Sequence, residues 1–419
     1  MAATTSTLSA IIKTFYVSDT INDQLNSSSI LYQKLAKPAQ LDVTGKSYTY
    51  AIRESRNRNA GKGIAEGGTF GTASNQGTRN ITVPDCEITT SVEISGRLLR
   101  AATGAGKGAF VSALRLEVDG GMKDTVRAIN RQLHSDGTDA LAFWTAADDV
   151  SGTNVDDGQG NAFPIFLEPG ATTCDLIDAS DNSTVLGNDI VVTLGAEGAS
   201  SAAITWTGSV SGSADGDYLV LNDTLTYQMM GIRGVISASD PALLSGGLHG
   251  LPVATYPYWK AQSYTNSGTN RDLTLELMQK PLTAVATRSA FSEADIAFLM
   301  GNGPVKDKYI ALCVADKRHV NEMELDGGQT AVSFNNKPFI VDPQSRNNTI
   351  YYVNPKTMDL LTSSGGLVWA DFEDGLQFKM KTGGSTASYA DAYQAFLVFY
   401  GNLACKVRNG NAVLGDLNV

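Results

Sequence analysis

The pattern of apolar residues predicts an α+β chain interrupted by an all-β unit. Three observations carry that reading: period-two runs on both arms of a glycine-rich stretch between Lys46 and Ile94, apolar residues spaced by three or four from Val111 to Leu133, and a span from Gln132 to Ile232 with no lysine or arginine. At 419 residues the chain can bury a sizeable core and divide into two or three domains.

Residues 1–45 precede the first clear pattern and read as an N-terminal arm. Within 46–96, Tyr48, Tyr50 and Ile52 alternate with Thr49, Ala51 and Arg53, and Ile88, Thr90, Val92 and Ile94 alternate with Thr89, Ser91, Glu93 and Ser95. Ile81 and Val83 fall in another phase, so Pro84-Asp85 marks a bulge or bend between two runs. The hairpin tip, 57–77, is rich in glycine and has no apolar cluster of its own. An isolated two-stranded ribbon is marginal in water, so a projection of this size is expected to lie on another copy of the chain. Along it Arg53, Arg56, Arg58, Lys62 and Arg79 outnumber Glu54 and Glu66, which makes the finger positive on a chain of net charge −11. Arg53, Arg56, Arg58, Lys62, Glu66 and Arg79 are the candidate interface residues.

In 97–140 the stripe Val111, Leu114, Val118, Met122, Val126, Ile129 and Leu133 predicts a helix, with Gly120-Gly121 expected to weaken or bend it and Gly137 to stop it. The span 132–232 holds thirteen Asp and two Glu, a charge of −15 against −11 for the whole chain, so the remainder carries +4. This shift sets 141–226 apart. Its runs Asp189–Leu194, Ala202–Trp206 and Asp217–Leu221, separated by Gly, Ser, Asn and Asp turns, predict a small sandwich or barrel. The acidity reads as a solvated surface, since Asp156 and Asp157 lack the ligand spacing and closing Glu of a calcium loop.

The remainder, 227–419, resumes an α+β pattern. Asp272–Arg288 reads as a helix strained by Pro281. A second helix is expected from Ser292, with Ser292 and Asp295 as a capping box, Phe291 and Ile296 as a hydrophobic staple and Gly301 as its end. Tyr309–Val314 reads as a strand, followed by a short basic helix at Lys317 and Arg318. Asn354-Pro355 should open a helix through Leu361, and Tyr393–Val407 should be a buried strand.

Little here points to catalysis. Around Gly104-Ala-Gly-Lys-Gly the phosphate-loop pattern fails, because Ala101 stands where its first Gly belongs and Gly108 replaces the required Ser or Thr. His134, His249 and His319 are far apart, and Cys86, Cys174, Cys313 and Cys405 form no close pair, so no metal, cofactor or catalytic residue is assigned. Cys313 with His319 is the one pairing left open, and two structural residues account for it better. Met1–Ala10 lacks the basic start and apolar core of a secretory leader, and no apolar run reaches membrane-spanning length; no membrane contact is expected.

The order of arm, hairpin, helix, β insertion and mixed body resembles the major capsid protein of tailed bacteriophages, the Hong Kong 97-type fold. The stretch Tyr227-Gln-Met-Met-Gly-Ile-Arg-Gly-Val-Ile, then Leu248-His-Gly-Leu-Pro-Val and Tyr256-Pro-Tyr-Trp-Lys-Ala, is similar to the segment returning the chain to the body, and Asp391–Lys406 fits the family's peripheral domain. The resemblance implies an extended loop at 46–96, a spine helix at 109–136, a peripheral domain starting in 97–140, and an axial domain with returning peripheral strands in 227–419. It further implies hexamers and pentamers closing into an icosahedral virion shell around double-stranded DNA, contacted weakly and without sequence preference. The alternatives are a phage tail or adhesin-type structural subunit built of β modules, and an enzyme with a mobile lid. The implied partners are other copies of the chain, a separate scaffolding protein or a scaffolding region already removed, a portal and a decoration protein, with synthesis in the host cytoplasm. In the fold's namesake a loop lysine bonds to an asparagine of a neighbouring subunit. Lys62 and Asn354 are the nearest analogues, and a solvated lysine without a cross-link is the expectation.

Overall fold

A single long strand near the C-terminus organises the first half of the structure. The computed structural model describes residues 30–35, 47–57, 59–61, 63–72, 74–96, 107–145, 154–156, 167, 171–197, 202–315, 322–325, 329–371, 378–383 and 388–418. Its elements begin with helix α1 (Ile30–Lys34) and strands β1 (Ser47–Ser55), β2 (Gly77–Pro84) and β3 (Cys86–Ser95), followed by helix α2 (Lys107–His134). A barrel comes next: β4 (Ala142–Trp144), β5 (Asn154–Asp156), β6 (Ala171–Ile177), β7 (Val185–Glu197), β8 (Ala202–Thr207) and β9 (Tyr218–Leu221). The second body contains α3 (Ile232–Val235), β10 (Gln262–Tyr264), α4 (Leu275–Arg288), β11 (Phe298–Gly301), α5 (Gly303–Ala315), β12 (Glu322–Leu325), β13 (Gln329–Phe334), β14 (Lys337–Val341) and β15 (Ile350–Val353). The chain ends with β16 (Met358–Trp369), β17 (Lys379–Gly383), β18 (Ser388–Cys405) and β19 (Ala412–Leu414).

β18 pairs antiparallel with β3 along one edge and with β16 and β17 along the other. The apolar face of β3, with Ile88, Val92 and Ile94 buried, packs under α2 through Val118, Met122, Val126, Ile129 and Leu133. Each such side chain contributes about 1.5–3 kcal/mol on burial. Helix α2 runs through Gly121 without a break, and a glycine stands there for a packing reason. The reason is proximity: a Cβ there would sit 3.3 Å from Val92 Cγ2, so the glycine lets helix and strand approach. One turn on, the Thr125 hydroxyl lies 2.7 Å from both the Gly121 carbonyl and the Thr90 hydroxyl. Val111 and Leu114 lie in this helix, but their side chains are outside the described set.

The seven-stranded sheet has the order β10-β19-β15-β11-β14-β13-β12. Phe298, Met300, Tyr351 and Val353 face the core shared with α2, while Leu299, Ile350 and Tyr352 face α4 and α5. Burial on both faces explains the unbroken apolar runs FLMG and IYYV. Three sequence expectations fail here. The helix from Ser292 is only a 3-10 turn, Glu293–Asp295, because Phe298–Gly301 is taken as a strand between β14 and β15. Tyr309–Val314 is helical, and the four-residue spacing of buried Val305, Tyr309 and Cys313 is the signal that was outweighed by its β-branched and aromatic content. Asn354 does cap, accepting from the Lys356 N–H at 3.1 Å, but it caps a single 3-10 turn before β16. The expected basic helix at Lys317 and Arg318 lies outside the described residues.

The acidic unit is a closed six-stranded barrel around Trp144 and Trp206, whose ring centroids are 5.2 Å apart. Its aspartates hold turns. Asp217 accepts from the N–H groups of Ala179 and Ala214, and Asp175 from those of Asp189 and Asp223, two residues with positive φ. The short carboxylate thus satisfies the backbone where the chain reverses. Entry and exit strands β4 and β9 pair directly, so the two ends of the barrel lie side by side.

Candidate assembly surface

The hairpin is narrower than the sequence suggests. β1 and β2 form its ladder, Tyr48 opposite Val83, Tyr50 opposite Ile81 and Ile52 opposite Arg79, whereas β3 leaves it at Asp85 to join β18. Period two then sorts its side chains. Tyr48, Tyr50, Ile52, Ile81 and Val83 share the face turned toward the body, in two small cores: Tyr48 and Val83 with Leu361 and Ala404, and Ile81 with Leu251 and Trp259. Arg53 is on the opposite, exposed face.

Arg79 belongs to the seated face. Its Nε lies 3.0 Å from Glu54 Oε2 and its guanidinium 4.8 Å from the Tyr256 ring centroid, so it is engaged within its own subunit. Arg53 and Arg56 are exposed, and Glu66 is exposed on the tip; Arg58 and Lys62 lie outside the described residues. Sequence reasoning missed two others, Ile64 and Phe70. Every described residue from Gly61 to Thr72 is exposed, Phe70 at 89% and Ile64 at 43%. Two isolated apolar residues in a glycine-rich tip, with no apolar residue between them at the strand or helix spacing, make no periodic run, which is why the pattern gave no signal. Gly61 and Gly67, with φ of 79° and 75°, supply left-handed turns between which Ile64 is displayed.

A different pair comes together in the interior. His249 Nε2 accepts from the Cys405 N–H at 3.0 Å, beside the fully buried Arg408, which donates to the carbonyls of Val235, Gly234 and Ser239. Burial, assisted by the Arg408 charge, pushes His249 down to about 3, and burial pushes the Cys405 thiol up to about 12. Both shifts favour the neutral forms, the reverse of what a thiolate nucleophile with a base needs. Burial likewise pushes the Cys86 and Cys174 thiols up to about 12. Cys313 is buried on α5, and His319 lies outside the described residues, so that pairing has no geometry to report. Among the described residues no group of three His, Cys, Asp or Glu side chains could hold a metal ion, and no helix is long and apolar enough to cross a membrane.

No protein-family model matches the chain, and no curated protein does. Solved structures do. The cyanophage A-1(L) capsid asymmetric unit superposes with a TM-score of 0.54 at 12% identity over 92% of each chain. The capsid of the native GTA particle aligns at TM-score 0.44 and 9% identity over 92% of this chain and 89% of that one. A Gordonia phage Cozz chain aligns at 0.42 and 10% identity, over 93% and 87%. The A-1(L) superposition carries the comparison: the mixed α+β architecture is the Hong Kong 97-type capsid fold of tailed phages.

Proposed function

We propose that this chain is a major capsid protein, a structural subunit that assembles as hexamers and pentamers into a closed icosahedral shell around the double-stranded DNA of a tailed phage. The main support is the capsid fold shared with the cyanophage A-1(L) protein over 92% of both chains. The hairpin agrees with it. Its shaft is seated on the body, while its tip leaves Phe70 and Ile64 exposed among the described residues, as expected of a loop that overlaps a neighbouring copy. In this reading the hairpin is the extended loop, α2 the spine helix, the β18 sheet the peripheral domain and the seven-stranded sheet the axial domain. The role is structural and invokes no reaction. Scaffolding, portal and decoration proteins are proposed partners, and the packaged DNA meets the inner surface without sequence preference.

Electron microscopy of the purified chain, expressed alone and with its phage's scaffolding protein, tests the proposal. Closed shells are expected in at least the second preparation. A chain that stays monomeric in both, at every concentration tried, overturns it.

A further inference from the structure

We infer that Glu54 and Arg79 are positioning residues, a latch that sets the angle at which the hairpin projects, and that neither acts by touching the neighbouring copy. The inference rests on the shell reading for its consequence, though not for its geometry.

The ribbon meets its own body at three places along its length, the first where Tyr48 and Val83 are buried with Leu361 and Ala404. Near the base, Ile81 is buried with Leu251 and Trp259. Further out, where the β1–β2 register shifts between Arg53 and Ser55, Glu54 and Arg79 form their 3.0 Å pair. Arg79 lies over the Tyr256 ring of the body, and Glu54 holds the guanidinium there from the neighbouring strand of the ribbon. Tyr256 is in edge contact with Tyr258, ring centroids 6.1 Å apart, so Glu54, Arg79 and the two rings form a chain from ribbon to body. The two apolar contacts fix the base of the ribbon, and the chain through Arg79 holds the part beyond them.

Beyond this contact the tip can extend by up to roughly 30 Å at about 3.3 Å per residue, so a rotation of a few degrees at the base displaces Phe70 by a few ångströms. Displacements of that size decide whether an apolar side chain meets a complementary surface. The latch is also easy to open. The side chains of Arg79 and Glu54 are 44% and 25% exposed, and ion pairs at such sites add little to folding. Their loss changes an angle without unfolding the subunit.

The test uses the unassembled full chain, spin-labelled at Ala60→Cys on the tip and Ala286→Cys on the exposed side of α4, with distances read by pulsed electron resonance. A single narrow distance is expected. Arg79→Gln and Glu54→Gln should each raise the displaced population about two- to fivefold, the range an exposed pair spans. At 1 M salt, where the screening length falls to about 3 Å, the parent should broaden likewise. Arg79→Lys, which keeps a cation for both Glu54 and the Tyr256 ring, should narrow the distribution again and retain the closed shells lost in the single variants. Unchanged distances in the single variants overturn the latch. So does an Arg79→Lys chain whose distances match those of Arg79→Gln. A parent chain that never forms shells counts against the capsid reading alone, because the distances are measured without assembly.

Discussion

The barrel and the hairpin are both excursions from the body, and they solve the problem of unsupported strands in opposite ways. The barrel closes: six strands leave no free edge, Trp144 and Trp206 fill its centre, and buried aspartates satisfy its turns. The hairpin does not. Its ladder has two strands, its apolar face is completed by residues of the body, and its tip stays exposed among the described residues. An element that finishes its own core can be added to a fold without changing it, whereas an unfinished one specifies a partner.

The sharpest way to break that contrast is at the hairpin. Replacing Arg53, Arg56 and Arg58 with Glu, or Phe70 with Ser, should abolish closed shells while the subunit keeps its circular dichroism and melting temperature. These positions bury nothing in the folded chain where they are described. Normal shells from both variants, seen by negative-stain microscopy, would remove the hairpin from the assembly surface.

The barrel should respond in stability instead. Trp144→Ala removes a side chain that is 1% exposed and should cost the barrel about 3–5 kcal/mol. If the barrel is autonomous, calorimetry will show one transition falling and the body's transition holding. Replacing 141–226 with a short Gly-Ser linker should then leave a soluble body, since β4 and β9 run side by side and Met229 N–H already bonds across to Gln132 Oε1 at 3.1 Å. A wholly insoluble body would mean that the two share a core.

Much of this contrast was legible in the sequence, because composition and period two report on local surroundings. The missing basic residues of 132–232 marked the barrel, and the alternation of Tyr48, Tyr50 and Ile52 marked the seated face. What was not legible depends on distant partners. Phe298–Gly301 follows a good helix start, yet becomes a strand because β14 and β15 lie on either side of it. Gly121 reads as a helix breaker until Val92 is found against it. Arg79 reads as an interface charge until register places it opposite Ile52, on the inner face.

A body residue gives an intermediate effect that should spare both excursions. His249 is held neutral, its pKa pushed down to about 3 by burial and by Arg408, whereas in the unfolded chain it titrates near 6.5. Because the folded pKa is depressed, the unfolded state binds the proton first. Stability is therefore intact above pH 6.5 and lost as pH falls from there toward 3, at about 1.4 kcal/mol per unit from this group. Asn tolerates the positive φ of 57° at this position and can still accept from Cys405 N–H. Between pH 7.5 and 5, His249→Asn should lose about 2 kcal/mol less than the parent in urea unfolding. Equal losses would assign the acid sensitivity to other groups.

The smallest expected effect is none. A covalent bond between copies would join a hairpin lysine to an asparagine side chain, and Lys62 and Asn354 are the residues the resemblance nominates. Asn354 is poorly placed for it. It is 0% exposed, its Oδ1 accepts from Lys356 N–H at 3.1 Å, and its own N–H donates to Asn411 Oδ1 at 2.8 Å, so the residue is held inside the joint between β15 and β16. For a lysine amine to attack the amide carbon, that joint would have to open and abandon the cap. Such a cap is typically worth about 1 kcal/mol before the cost of exposing the buried residues around it. Assembled particles boiled in detergent should therefore run as one band near 44.3 kDa, and Lys62→Ala should leave the pattern unchanged. A ladder of heavier bands in the parent that vanishes in Lys62→Ala would show that the hairpin is finished by a bond as well as by a fit.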